Sequence, residues 1–257
     1  MNIQKQYMFD LIAKNLRIDG RAVDEFRPIT IETNVISQAE GSALVTLGGT
    51  KVLTGVKMEV GEPFPDKPNE GVLIVNAELS PIAAPTFELG PPDEEAIELA
   101  RIVDRGIRES KAIDTEKLCI EEGKKVWIIY VDIQPLNHDG NLIDASGISA
   151  IAALWTTKMP GYDNEKVIYE QKVGNLPMRE KPIPMTFGCL NGKLILDPNI
   201  IEENAISSRI TVTTKDNGNI CALQKGGVGE LTMEMIEEAM RISIEKGREI
   251  RKLIKTQ

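Results

Sequence analysis

Apolar and polar residues alternate from Arg27 to Ile36, placing Ile29, Ile31 and Val35 on one face of a half-buried strand. Ala43 to Leu47 and Lys51 to Val60 flank Gly48-Gly49, a pair that tolerates the positive φ of a tight hairpin. Val72 to Leu79 and Val126 to Gln134 are apolar runs of strand length. Met185 to Leu190, Lys193 to Leu196, Ser208 to Thr214 and Ile220 to Leu223 give a second series of strands. Helical stretches are predicted at Ile3 to Leu16, from an Asp93 cap to about Ser110, at Gly147 to Met159, and from about Thr232 to Lys255. In the last of these, Met233, Ile236, Met240, Ile250 and Ile254 recur at helical spacing and read as core. Strands that precede helices twice over predict an α+β fold of mixed β-sheets packed with helices, in two lobes. The divisions fall at residues 1–160, a Pro-rich polar linker or hairpin at 161–184, and 185–257.

The chain has 257 residues, 42% hydrophobic and 27% charged, enough to bury a sizeable core. Three cysteines, Cys119, Cys189 and Cys221, stand far apart with no CxxC pair, so neither a disulfide framework nor a zinc site is suggested. They read as buried thiols in a reducing cytoplasm. His138 is the single histidine, which removes multi-histidine metal sites and Ser-His-Asp sets and leaves a structural role in a turn. No run approaches a membrane span. A net charge of −9 argues against general nucleic-acid binding, so any RNA contact must be local or shared with a partner chain.

By itself, Arg17-Ile-Asp-Gly-Arg21 reads as a turn on Asp19-Gly20 with solvated charges. The spaced set is more telling: Arg17 to Arg21, then Glu25, Arg27 and Pro28, then Gly41-Ser42-Ala43 and a hairpin, then Asp139 to Ala150. In this order over nearly the full chain it resembles the RNase PH family of phosphorolytic exoribonucleases. Pro91-Pro92-Asp93-Glu94 and the helix Ala96 to Ser110 most resemble the catalytically silent ring subunit of the archaeal exosome. That resemblance implies a hexameric ring in which silent and catalytic RNase PH-like subunits alternate, topped by RNA-binding cap subunits and acting on single-stranded RNA. It implies no cofactor.

Phosphorolysis needs a cationic cradle for inorganic phosphate and a carboxylate that places a metal or protonates the leaving oxygen. Active members resemble Gly-Thr-Arg-Thr-Ala-Gly before the central helix; the matching stretch here is Leu142 to Gly147, where Asp144 is expected to repel phosphate. Two aspartates six residues apart in active members correspond to Glu203 and Arg209. Asp144, Glu203 and Arg209 thus read as degenerate former active-site positions, with no catalytic and no metal-binding residue. Two reversals of charge suggest an Asp144–Arg209 ion pair. A shifted alignment would instead make Asp197, Glu202 and Glu203 a working acidic site, and the chain an independently active phosphorolytic exoribonuclease.

Arg101, Arg105 and Arg108 cluster on one face of the second helix, opposite Ala96, Leu99, Val103 and Ile107. Read from residues alone, they form a solvated face with Glu98–Arg101 and Asp104–Arg108 pairs, and the chain could be a scaffold with no RNA role. The resemblance implies RNA binding through these arginines, Arg101 and Arg105 foremost. The loop Gly61 to Gly71, with Glu62, Asp66 and Glu70, reads as a spacer or subunit contact rather than an RNA clamp. Lys225 to Gly229 lacks a GK[ST] ending and reads as a tight connection into the last helix.

Overall fold

A computed structural model describes residues 3–254. In chain order the elements are α1 (Ile3–Ala13), β1 (Ile29–Thr33), β2 (Gly41–Leu47), β3 (Thr50–Gly61), β4 (Val72–Ala77), α2 (Glu94–Ser110), β5 (Cys119–Glu121), β6 (Lys125–Asn137), α3 (Leu142–Thr156), β7 (Lys158–Asp163), β8 (Lys166–Asn175), β9 (Ile183–Leu190), β10 (Lys193–Leu196), α4 (Ile200–Glu203), β11 (Ser208–Thr214), β12 (Ile220–Gly227) and α5 (Met233–Arg251). The first sheet runs β1-β2-β3-β6-β4, with β5 also on β6, and the second β10-β9-β11-β12. Among the described residues, only β4 and β6 pair in parallel, as a crossover through α2 requires. The architecture is the α+β arrangement of mixed sheets and helices that the pattern predicts.

Alternation sets the register. In β2, Ala43, Val45 and Leu47 are fully buried, and in β3 so are Val52, Val56 and Met58. α3 packs on β2 and β3 from one side and on β9 from the other, with α2 beside it. A helix enclosed on all sides carries no amphipathic stripe, which is why its predicted start at Gly147 is five residues late and its predicted end at Met159 three residues late. Small residues let the elements close up. A Cβ at Gly147 would lie 2.5 Å from Pro184 Cγ, so this position sets the approach of α3 to β9. One continuous buried cluster runs through α3 from Val45 and Ile129 to Phe187 and Val212. A smaller cluster holds Met8 and Ile12 of α1 against Leu190 and Ile195.

The segment 161–184 holds the end of β7, the exposed strand β8 and the start of β9. α5 buries Ile250 as expected, and Ile254 beyond its end is buried too; Met233 at its start is 65% exposed and is not core. The predicted end at Lys255 lies outside the described residues. No helix among the described residues is long and apolar enough to cross a membrane.

Candidate functional site

The amino-terminal motif forms a buried latch rather than a solvated turn. Arg17 Nε and Nη2 donate to Glu202 Oε1 and Oε2 at 2.9 and 2.6 Å, while Nη1 reaches the Leu196 carbonyl at 2.7 Å. Arg27 grips Asp197 with Nε and Nη2, both at 2.8 Å, and its backbone N–H donates to Oδ2 at 2.9 Å. Arg21 Nη1 adds a third guanidinium on Asp197 at 3.0 Å. Bidentate guanidinium–carboxylate geometry, with further hydrogen bonds from Asn141 Nδ2 to Asp197 and from the Asn199 N–H to Glu202, is what makes burial of these charges tolerable. Asp197 and Glu202 are fully buried beneath these arginines, so the alternative acidic site formed by Asp197, Glu202 and Glu203 does not assemble. Glu202 is delivered by α4, whose Asn199 side chain and Glu202 form a capping box.

Between α2, the start of α3, α4 and β11 lies a cleft of about 630 Å3, lined among others by Phe87, Glu98, His138, Ile143, Glu203 and Arg209. Asn141, the N-cap of α3, sits in the left-handed region at φ 54°, and its backbone N–H donates to Glu203 Oε1 at 2.7 Å. A helix N-terminus is a ready site for an anion, and here the chain's own carboxylate takes that place. Burial pushes the Glu203 carboxyl up to about 7, against the Asn141 N–H and the nearby charges of Arg209 and Arg27. Burial raises Glu95 on the cleft wall as well, aided by Asp93.

The expected Asp144–Arg209 pair is not formed. Arg209 Nη2 meets Glu98 Oε2 on α2 at 2.5 Å. Asp144 is wholly buried and accepts from Asn141 Nδ2 at 2.9 Å, from Thr186 N–H at 2.9 Å and from Thr186 Oγ1 at 2.7 Å. The cause is the helix start: with α3 beginning at Leu142, the helical turn directs Asp144 inward to β9 while Leu142 and Ile143 line the cleft. Asp144 therefore does not face the space from which it was expected to repel phosphate. Its carboxyl is pushed up to about 7 by burial, which outweighs its three hydrogen bonds.

His138 stacks on Phe87 with centroids 5.6 Å apart and accepts the Gly140 N–H at Nδ1, 3.3 Å away. Burial lowers its pKa, so the imidazole is neutral near pH 7 and braces the turn into α3. Among the described residues, no three His, Cys, Asp or Glu side chains are placed to hold a metal ion.

On α2 the Asp93 carboxylate caps the Ala96 N–H at 2.8 Å, and Ala96, Leu99, Val103 and Ile107 are buried as the wheel predicts. The arginine stripe is exposed but not uniform. Arg108 is tied to Asp104 at 2.7 Å and to the Leu73 carbonyl at 2.5 Å. Glu98 is taken by Arg209 and not by Arg101. Among the described residues, neither Arg101 nor Arg105 has an ion-pair partner, and both line a shallow groove on the outer face of α2. Sequence reasoning missed Glu98, Asn141 and Thr186. A readable signal existed only for α4, in Asn199-x-x-Glu202.

A central buried helix with its N-terminus on a cleft, sandwiched between two sheets and flanked by an arginine-bearing helix, defines an α+β scaffold built around that cleft. The model of the 3' exoribonuclease family, domain 1, matches residues 25–160, and that of domain 2 matches residues 181–246. The chain belongs to this family, the RNase PH family. It is 48% identical to the exosome complex component Rrp42 of Thermococcus kodakarensis, over 98% of this chain and 94% of that protein. Its structure is similar to a chain of the Archaeoglobus fulgidus exosome with RNA bound to the active site, with TM-score 0.92, 49% identity and 98% of each chain covered. An archaeal exosome core chain matches with TM-score 0.87 and 46% identity, covering 98% of this chain and 96% of that one.

Proposed function

We propose that this chain is a non-catalytic subunit of an exosome ring, which helps structure a partner's active site and positions single-stranded RNA for phosphorolytic degradation from the 3' end. One observation carries the reading: Glu203 occupies the N-terminus of α3, at 2.7 Å from the Asn141 N–H. A phosphate arriving there would find the Asn141 amide donor already taken by the Glu203 side chain. Arg209, the cation of the cleft, is already paired with Glu98. Among the described residues that line the cleft, no Lys or Arg besides Arg209 is placed to hold inorganic phosphate in line with a phosphodiester. Asp144, Glu203 and Arg209 are, on this reading, relics of a catalytic site with new structural duties.

The contribution to RNA comes from Arg101 and Arg105, whose exposed guanidinium groups bind phosphate without reading sequence. Arg108, the third member of the stripe, has its charge largely spent on Asp104 and serves RNA less. The reading extends to a six-membered ring in which this chain alternates with a catalytic RNase PH-like subunit beneath RNA-binding caps, acting in the cytoplasm; relatives named as exosome complex components and an archaeal exosome core chain support membership of an exosome. The reading is tested by phosphate-dependent release of nucleoside diphosphates from a single-stranded RNA. The purified chain should be inactive, the catalytic partner weakly active, and the mixture most active. Robust release by this chain alone would overturn the reading.

A further inference from the structure

Phe64, in the loop between β3 and β4, is 53% exposed and lines a groove of about 440 Å3 together with Arg101, Arg108 and Val75. The reading of this loop as a spacer takes account of its carboxylates and not of this ring. A lone exposed Phe is ordinary. Here the ring is carried on a fastened segment: Lys67 N–H donates to the Phe64 carbonyl at 3.0 Å, Gly71 N–H to the Thr115 carbonyl at 2.9 Å, and Gly123 N–H to the Pro68 carbonyl at 2.8 Å. Such fastening lowers the ordering cost of binding.

Charge in the groove is also divided. Arg108 is engaged by Asp104 and the Leu73 carbonyl, which spends the local carboxylate and leaves Arg101 without an ion pair among the described residues. Arg101 lines both this groove and the next one, where Arg105 stands one turn further along α2. An aromatic face, an apolar wall and two arginines without ion pairs among the described residues, their backbones about 6 Å apart along the helix axis, adjoin one another along α2.

We propose that this path is a single-stranded RNA contact, in which one base stacks on Phe64 while adjoining phosphates lie on Arg101 and Arg105. It rests on the RNA-positioning role proposed for α2. Stacking on a π-face accepts any base and complements phosphate contacts that carry no sequence information. The groove volume lies in the range of pockets that enclose small organic groups of nucleotide size.

The test uses rings assembled from this chain and its catalytic RNase PH-like partner, with a short single-stranded RNA carrying 2-aminopurine. Phe64→Ala should weaken binding between about five- and hundredfold and abolish the quenching of one 2-aminopurine position. The slope of log K against log salt should stay unchanged, because no charge is removed. Phe64→Trp should retain both affinity and quenching, and Phe64→Leu should lose them. Unchanged binding and quenching in Phe64→Ala, with Arg101→Ala weakened and reduced in salt slope, would overturn the stacking proposal and leave the role of α2 intact. If Arg101→Ala with Arg105→Ala also binds RNA normally, the RNA-positioning reading fails as well. Rings that fail to assemble with Phe64→Ala, yet assemble and bind normally with Phe64→Leu, would make Phe64 a protein contact and overturn the proposal.

Discussion

Arg209 on β11 and Glu98 on α2 meet at 2.5 Å through Nη2 and Oε2, closing an ion pair across the cleft where a phosphorolytic site would need a free cation. The pair makes one helix serve two purposes. Its inner flank engages Arg209, and its outer face presents Arg101 and Arg105. Glu98→Gln should release the Arg209 guanidinium. With the partners 49% and 27% exposed, the loss of stability should stay below about 1 kcal/mol. Thermal unfolding in rising phosphate should then show a larger increase in Tm for Glu98→Gln than for the wild type. An identical phosphate response would show that Arg209 is not held back by Glu98.

Arg17 lies 185 residues from Glu202 in sequence and is wholly enclosed with it. Arg17→Ala leaves the Glu202 carboxylate buried without its guanidinium and should cost about 3–5 kcal/mol in urea unfolding. A loss below about 1 kcal/mol would mean that the latch relaxes into solvent.

Asp144 and Glu203 contribute to the dependence of stability on pH. Both carboxyls are raised by burial to about 7 when folded, against ordinary values near 4 when unfolded. Each folded group therefore holds its proton more tightly than the unfolded chain does. Their stabilising contribution is fully present below about pH 4 and is lost as pH rises toward and through 7. Asp144→Asn should flatten the fall in Tm between pH 5 and 8. Parallel curves for the variant and the wild type would remove Asp144 from the explanation.

Gly140 holds the turn that aims the Asn141 N–H at Glu203. Its φ is +88°, and a Cβ there would lie 2.4 Å from the Asn199 carbonyl carbon. Gly140→Ala should cost more than about 2 kcal/mol, since both the backbone and a neighbouring main chain resist it. A stable variant would place the turn elsewhere.

The strands were legible because alternation is a local property, and α2 because its polar cap and apolar stripe are both written in sequence. The site was less so. The resemblance located Glu203 and Arg209, but their partners come from other elements: Glu98 from α2 and Asn141 from the turn before α3. The orientation of Asp144 hangs on where a helix buried all round begins, which periodicity does not register. Arg17 and Arg27 look like surface charges until Asp197 and Glu202 arrive from some 170 residues away or more.

The most direct measurement compares RNA phosphorolysis by assembled rings carrying either Glu203→Gln or the double substitution Arg101→Ala, Arg105→Ala in this chain, with assembly confirmed in both. The expected result is near-normal kcat/KM for Glu203→Gln and a drop of roughly tenfold or more for the double variant, from two lost phosphate contacts. Activity abolished by Glu203→Gln and untouched by the double substitution would contradict the account, making this chain a source of chemistry and not of RNA placement.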